Sequence, residues 1–228
     1  MKKRFVLGAI AGLTLGAMTG LVQAQDNSFK IGLVLPMSGP FASTGKQMEL
    51  AVRLYMAQHG DTVAGRKVVL IVKDDTGAPD VTKRIAQELV VNDKVNVLAG
   101  FGLTPLALAT APLATQSKTP MVVMAAATSS ITQASPYVVR TSFTLPQAAV
   151  AMADWAPNNG IKKVVTLVSD YGPGIDAEKF FKDRMLFNGA QVLDTLRVPM
   201  RNPDFAPFLQ KVRDLKPDAV FVFVPSGA

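Results

Sequence analysis

The sequence predicts an α/β fold: parallel sheets flanked by helices, in two successive units, the second of them incomplete. Three observations carry this. Short runs rich in Val, Ile and Leu alternate with helical patterns from about residue 29 onward. Those runs are apolar at consecutive positions, as expected of strands covered on both faces. The segments between them are long enough for the helical crossovers that parallel pairing needs.

The chain opens "MKKRFVLGAIAGLTLGAMTGLVQAQ". Lys2, Lys3 and Arg4 form a basic start, an apolar Gly- and Ala-rich stretch follows to Val22, and "VQA" places small residues at a cleavage site. Residues 1–24 therefore read as a cleaved secretory signal peptide. The alternative is an uncleaved anchor, for which the stretch is long enough. Neither a twin arginine nor a cysteine is present, so Tat export and lipid anchoring lack support. No later run is long and apolar enough to span a bilayer. The expected location is the periplasm.

The formal charge is +7; without Lys2, Lys3 and Arg4 it is 21 basic against 17 acidic residues, or +4. That balance serves solubility, and no basic stripe with interleaved aromatics marks a nucleic-acid partner. With no cysteine, disulfides are excluded, and a mature chain of roughly 200 residues must be held by its core.

In the first unit, residues 25–141, strands are expected at 29–35, 67–73, 95–99 and 120–124. Helices are expected at 45–58, 79–91 and 105–115. Pro79 suits a first helical position. The segment "YVVRTSFTLPQ" (137–147) begins as a strand and reads as the crossover to the second unit, residues 142–228. There, strands are expected at 163–169, 191–198 and 219–224, with helices at 147–156, 175–187 and 203–215. Asn202 before Pro203 reads as a helix cap, and Gly189 as a helix stop. The chain ends at "VFVFVPSGA", directly after a buried-type strand, so the second unit reads as truncated.

"PMSGPFASTGKQ" (36–47) lies between a strand and a helix and resembles a phosphate-binding loop. Its spacing is wrong: five residues separate Gly39 from Gly45, where such a loop has four before its Gly-Lys pair, and Gln47 replaces the magnesium-binding hydroxyl. Outside the cytoplasm it would also lack ATP. The remaining readings are a turn capped by Ser43 or Thr44, or the wall of a ligand cleft at a strand's carboxyl end.

Catalytic equipment is thin. His59 is the one histidine and sits near a helix end, where it can bond terminal carbonyls. No Gly-x-Ser-x-Gly elbow exists. One His and no Cys make a zinc site improbable. Asp74-Asp75 is either the acidic pocket of a phospho-acceptor domain or a pair of solvated turn carboxylates. No cofactor or metal is expected, and no catalytic residue is nominated. What recurs is a small polar loop after a strand: "GFGLTPLALAT" (100–110), "AAATSS" (125–130) and "SDYGPG" (169–174). Such loops at helix N-termini attract carboxylates.

The export signal, "IGLVLPMSGPFASTGKQ", "VNVLAGFG", "PMVVMAAATS", "YVVRT", "VSDYGPG" and "RNPDFAPFLQKVRDLKPDAVFV", in this order, resemble the substrate-binding proteins of branched-chain amino-acid-type ABC transporters. The resemblance covers essentially the whole mature chain. It implies a two-lobed periplasmic-binding-protein (Venus-flytrap) fold whose hinge closes on a small carboxylate, with no enzyme activity. The implied partners are a membrane permease and its ATPase subunits. It also implies a carboxylate-binding hydroxyl at Thr104, backbone groups at Ala126, a hydroxyl at Thr128, an aromatic lid at Tyr171, and Thr44 facing the cleft while Lys46 points to solvent. One departure stands out. Members often carry an acid shortly after "RT" that faces the ligand ammonium; here Leu145 stands about there. The expected ligand is then an amine-free aromatic or branched acid, with a branched-chain amino acid the alternative. Phe101, Phe143 and Tyr171 offer contact to a ring; Phe101 and Phe143 read equally well as core. Two other functions stay open: a ligand sensor feeding a receptor, and an exported carboxylate-dependent hydrolase.

Overall fold

The computed structural model describes residues 27–200 and 202–225. The signal peptide read at 1–24 lies outside them. Two parallel sheets result. In the first, β1 (Phe29–Leu35) is central and pairs in parallel with β3 (Arg66–Asp74) and β4 (Val97–Gly100). Beyond β4 come β5 (Met121–Val123) and β6 (Val138–Arg140); with the two-residue β2 (Thr62–Val63) on the outer side of β3, the order is β2-β3-β1-β4-β5-β6. The helices α1 (Ala42–His59), α2 (Pro79–Val91) and α3 (Thr104–Ser117) are its crossovers. The second sheet has the order β8-β7-β9, built from β7 (Lys163–Ser169), β8 (Gln191–Val198) and β9 (Ala219–Phe223). Here α4 (Leu145–Asn158) precedes β7, and α5 (Gly172–Phe187) and α6 (Ala206–Leu215) link the strands. Among the described residues, no helix is long and apolar enough to cross a membrane.

Consecutive apolar residues serve opposite faces of each sheet. Val34 packs with Leu89, Leu98 and Met121 under α2 and α3, whereas Leu33 and Leu35 pack toward Met48 and Val52 of α1. In the second sheet, Val164 meets Phe181 and Met185 of α5, and Val165 and Leu167 meet Phe208 and Val212 of α6. Phe181 stacks on Phe221 of β9 at 3.9 Å between centroids. Two-sided burial is what the uniform apolar runs encode.

The structure departs from the sequence reading at several boundaries. Neither Ser43 nor Thr44 caps α1. That helix begins at Ala42, its N-cap position is Phe41, and no side chain caps it. The turn is closed by backbone instead, Thr44 N–H donating to the Phe41 carbonyl at 3.1 Å. Asn202 does not cap α6 either, because its φ of 48° is left-handed while an N-cap needs an extended backbone. The helix starts at Ala206, whose N–H is taken by Asp204 Oδ1 at 3.0 Å. α5 begins three residues before the expected 175, at Gly172. The sequence reading also missed β2 (Thr62–Val63), which pairs antiparallel with Arg66 and Lys67 across a tight Ala64-Gly65 turn, and the 3-10 turn Ser129–Gln133. Both are too short to show a period.

Gly45 explains part of the Gly-Lys sequence. A Cβ there would lie 2.2 Å from the Pro36 carbonyl oxygen, so the glycine lets α1 press against the loop that precedes it. Lys46 next to it is exposed. Gly45→Ala is expected to force the helix off the loop and cost roughly 1–3 kcal/mol, as overpacking does. Urea denaturation midpoints check this; an unchanged midpoint would contradict the packing role.

Candidate ligand-binding cleft

Parallel strands point their carboxyl ends the same way, so the crossover helices begin along one edge of each sheet. The two edges face one cleft of about 430 Å³. Four helices start on its wall: α1 beside Phe41 and Thr44, α3 at Thr104, α4 at Leu145, and α5 beside Tyr171 and Pro173. None of the described residues lining it is charged. The electrostatic character of the cleft therefore comes from helix N-termini, whose partial positive charge favours an anion.

The structure brings five of the seven sequence-nominated residues to this wall: Thr44, Thr104, Ala126, Phe143 and Tyr171. Thr104 is nearly buried, and its Oγ1 lies 2.8 Å from Oγ1 of Thr128. Thr128 sits behind that bond rather than on the lining, and its carbonyl accepts from Arg140 Nη1 at 2.6 Å. The Ala126 N–H donates to the Phe101 carbonyl at 3.1 Å, so it already has a partner. Phe143 is 59% exposed and faces the cleft, which settles its position against a core role.

Phe101 is corrected. It is fully buried in the first-sheet core with Leu98 and Ile131, not on the cleft wall. A φ of 64° turns the backbone sharply after β4 and carries the ring inward. Its N–H bonds the Val34 carbonyl at 2.9 Å, so the residue braces the loop that presents Thr104.

Tyr171 stacks near Phe223, with ring centroids 6.5 Å apart and planes at 18°. Burial pushes its phenol up to about 12, which keeps it a neutral hydrogen-bond donor. Leu145 is 4% exposed and lines the cleft, its N–H bonded to the Ala127 carbonyl at 2.9 Å. The α4 start is fixed by a capping box between Thr144 and Gln147, which holds Leu145 in place.

Phe41, Ser142 and Phe223 also line the cleft and were missed. Ser142 Oγ is buried without a hydrogen-bond partner among the described residues, so it is available to a ligand oxygen. Phe41 and Ser142 stand close in sequence to the nominated Thr44 and Phe143, which is the only signal they carried.

Asp74 and Asp75 form no phospho-acceptor pocket, and the pair is not simply solvated. Asp74 Oδ1 accepts from the N–H groups of Met37 at 2.9 Å and Thr76 at 2.8 Å, tying the loop before α1 to the turn before α2. Burial pushes its carboxyl up, but bonds from Ser38, Thr76 and Met37 outweigh that and hold it below the usual range. Asp75 is fully buried. Its Oδ1 accepts from Gly77 N–H at 2.9 Å, while among the described residues Oδ2 has no hydrogen-bond partner; the Thr82 hydroxyl donates to the Ala78 carbonyl. His59 is also structural: Nδ1 lies 3.0 Å from the Tyr55 carbonyl and its ring stacks on Tyr55.

The sequence matches the family described as periplasmic binding protein over residues 28–228. The chain belongs to that family. It is similar to Leu/Ile/Val-binding protein homolog 6 of Brucella abortus (strain 2308), with 44% identity over 226 residues, 99% of this chain and 57% of the relative. The chain thus spans little more than half the length of that curated relative. Among solved structures it is similar to a solute-binding protein of an ABC transporter from Rhodopseudomonas palustris BisB5 in complex with 3,4-dihydroxybenzoic acid. That match has a TM-score of 0.85 and 62% identity, covering 88% of this chain and 55% of the other. It is also similar to an R. palustris ABC-transporter solute-binding protein in complex with 4-hydroxybenzoate, with a TM-score of 0.84 and 44% identity, covering 87% and 54%. These binding proteins share the two-sheet α/β architecture described above, as the sequence reading expected of this family.

Asp75 gives a pH test of the turn behind this cleft. Burial, with the neighbouring Asp74 charge, pushes its carboxyl from the ordinary 3.8 up to about 6. An acid whose pKa rises on folding favours folding while protonated. Its contribution is complete below pH 3.8 and is lost as pH rises through about 6. Asp75→Asn, which keeps an oxygen for Gly77 N–H, is expected to be more stable than wild type at pH 7.5 by roughly 2–3 kcal/mol, with no such gain at pH 4. Parallel stability profiles for the two proteins would contradict the buried-acid reading.

Proposed function

We propose that this protein is the periplasmic solute-binding component of an ABC importer and that it captures a small aromatic carboxylate. The observation that carries the reading is the composition of the cleft: four helix N-termini, hydroxyls at Thr104 and Ser142, aromatic rings, and no charged side chain among the described lining residues. A carboxylate gains from helix dipoles and hydroxyl donors. An α-ammonium would be desolvated there without a partner, at real cost. Leu145, on the wall where an acid would serve that ammonium, is the residue that turns the preference. Phe41, Phe143, Tyr171 and Phe223 supply apolar faces for a ring. The likeness to binding proteins solved with 3,4-dihydroxybenzoic acid and 4-hydroxybenzoate supports the same ligand class.

The mechanism requires no bond chemistry. Residues 25–141 and 142–228 act as two lobes that meet at the crossover. A ligand touching both lobes stabilises the closed arrangement, and a membrane permease with its ATPase subunits receives the cargo.

The test is a thermal-shift panel on the protein expressed from its gene to its natural stop. Benzoate, 4-hydroxybenzoate and 3,4-dihydroxybenzoate at about a hundred times Kd should stabilise it by roughly 2.7 kcal/mol, while leucine and valine leave melting unchanged. Thr104→Val is expected to weaken benzoate binding about tenfold or more through loss of the hydroxyl. A shift with leucine and none with the aromatic acids would overturn the reading.

A further inference from the structure

Asp176 lies outside the cleft lining and, among the described residues, makes no hydrogen bond or ion pair within its own helix. It is the fifth residue of α5, beyond the first turn, where a carboxylate would serve the helix's free N–H groups; no acid occupies that turn. Its Oδ2 instead crosses to the other sheet unit and accepts the backbone N–H of Ser129 at 2.7 Å. Burial pushes the Arg140 guanidinium of β6 below its usual range, and the Asp176 charge partly offsets this. Arg140 in turn donates to the carbonyl of Thr128, the residue directly before Ser129.

One other feature places this contact at the point where the units meet. A Cβ on Gly172, at the start of the same helix, would stand 3.4 Å from Thr128 Oγ1 and 3.6 Å from Thr104 Cγ2. The start of α5 therefore rests on the buried Thr104–Thr128 pair. One turn along, Asp176 binds the backbone that follows Thr128. The contact between units thus sits directly behind the cleft wall, on the segment 128–129 that follows the lining residues Ala126 and Ala127.

We infer that Asp176, through Ser129 N–H and the Arg140 charge, is a latch that holds the two lobes closed over an occupied cleft, setting ligand release without touching the ligand. The inference rests on the proposed hinged capture. Opening α5 away from the first sheet must break the Asp176–Ser129 bond, so the latch acts only on the closed state. A charge-assisted hydrogen bond of this kind is stronger than a neutral one. Its loss therefore accelerates opening, while ligand entry into the open form is unaffected.

The experiment uses Asp176→Ala and Asp176→Asn in the protein expressed to its natural stop. Stopped-flow binding of 3,4-dihydroxybenzoate is expected to show the dissociation rate raised about tenfold or more in Asp176→Ala, with the association rate within about twofold of wild type. Asp176→Asn keeps an oxygen for Ser129 N–H but loses the charge toward Arg140, so its dissociation rate should fall between the two. Small-angle scattering of the same proteins without ligand supplies an arm independent of ligand identity. The radius of gyration of Asp176→Ala should exceed that of wild type, and its melting temperature without ligand should be retained. Wild-type dissociation rates in both variants would overturn the latch. So would an equal loss in association rate accompanied by a lower melting temperature, which marks a structural residue. If wild type itself fails to bind the acid, the ligand reading fails. The latch then stands only if Asp176→Ala has a larger radius of gyration than wild type, and falls if the two are equal.

Discussion

Parallel strand pairing is the constraint on which the site depends. A parallel sheet must return each strand through a crossover, and each crossover helix must then begin at the sheet's carboxyl edge. In this chain two such edges face each other, so α1, α3, α4 and α5 all begin on one cleft. The positive ends of four helices are collected there without a single Lys or Arg among the described lining residues. On the proposed reading, a preference for an anion follows from topology, and the side chains are left to choose the body of the ligand.

The packing around the cleft serves that placement. Phe101 gives up a position on the wall and anchors the loop that carries Thr104. Asp74 ties the Met37–Ser38 backbone to the turn after β3, which fixes the loop that carries Phe41 and leads into the first turn of α1 with Thr44. Gly45 admits α1 to close contact with Pro36. Gly174 does the same for α5, since a Cβ there would meet the Ser169 carbonyl oxygen at 1.9 Å. None of these groups lines the cleft, yet each sets where a lining residue stands.

Much of the fold was legible because the signal was physical and local. The ranges of β1, β7, β8 and α2 match the expected 29–35, 163–169, 191–198 and 79–91, since runs rich in Val, Ile and Leu mark the strands and Pro79 marks the helix start. The helix starts of α1 and α6 were not legible, because backbone turns and a left-handed Asn202 replaced the expected side-chain caps. In the cleft, Thr104 and Tyr171 were readable as polar or aromatic residues just after strands. Phe101 has the same setting and turned inward, which depends on one backbone dihedral that composition does not encode. Phe223 was read only as strand, because its partner Tyr171 is distant in sequence. The burial of Asp75 was equally hidden, as two adjacent aspartates with opposite surroundings look alike in sequence.

The most direct test of the central claim is calorimetric titration with a matched series: benzoate, benzamide and benzylamine, which present one ring with an anionic, a neutral and a cationic group. The account predicts measurable binding of benzoate, at least tenfold weaker binding of benzamide, and none of benzylamine. Equal affinity for benzamide, or tighter binding of benzylamine, would contradict a cleft that reads a carboxylate through helix N-termini.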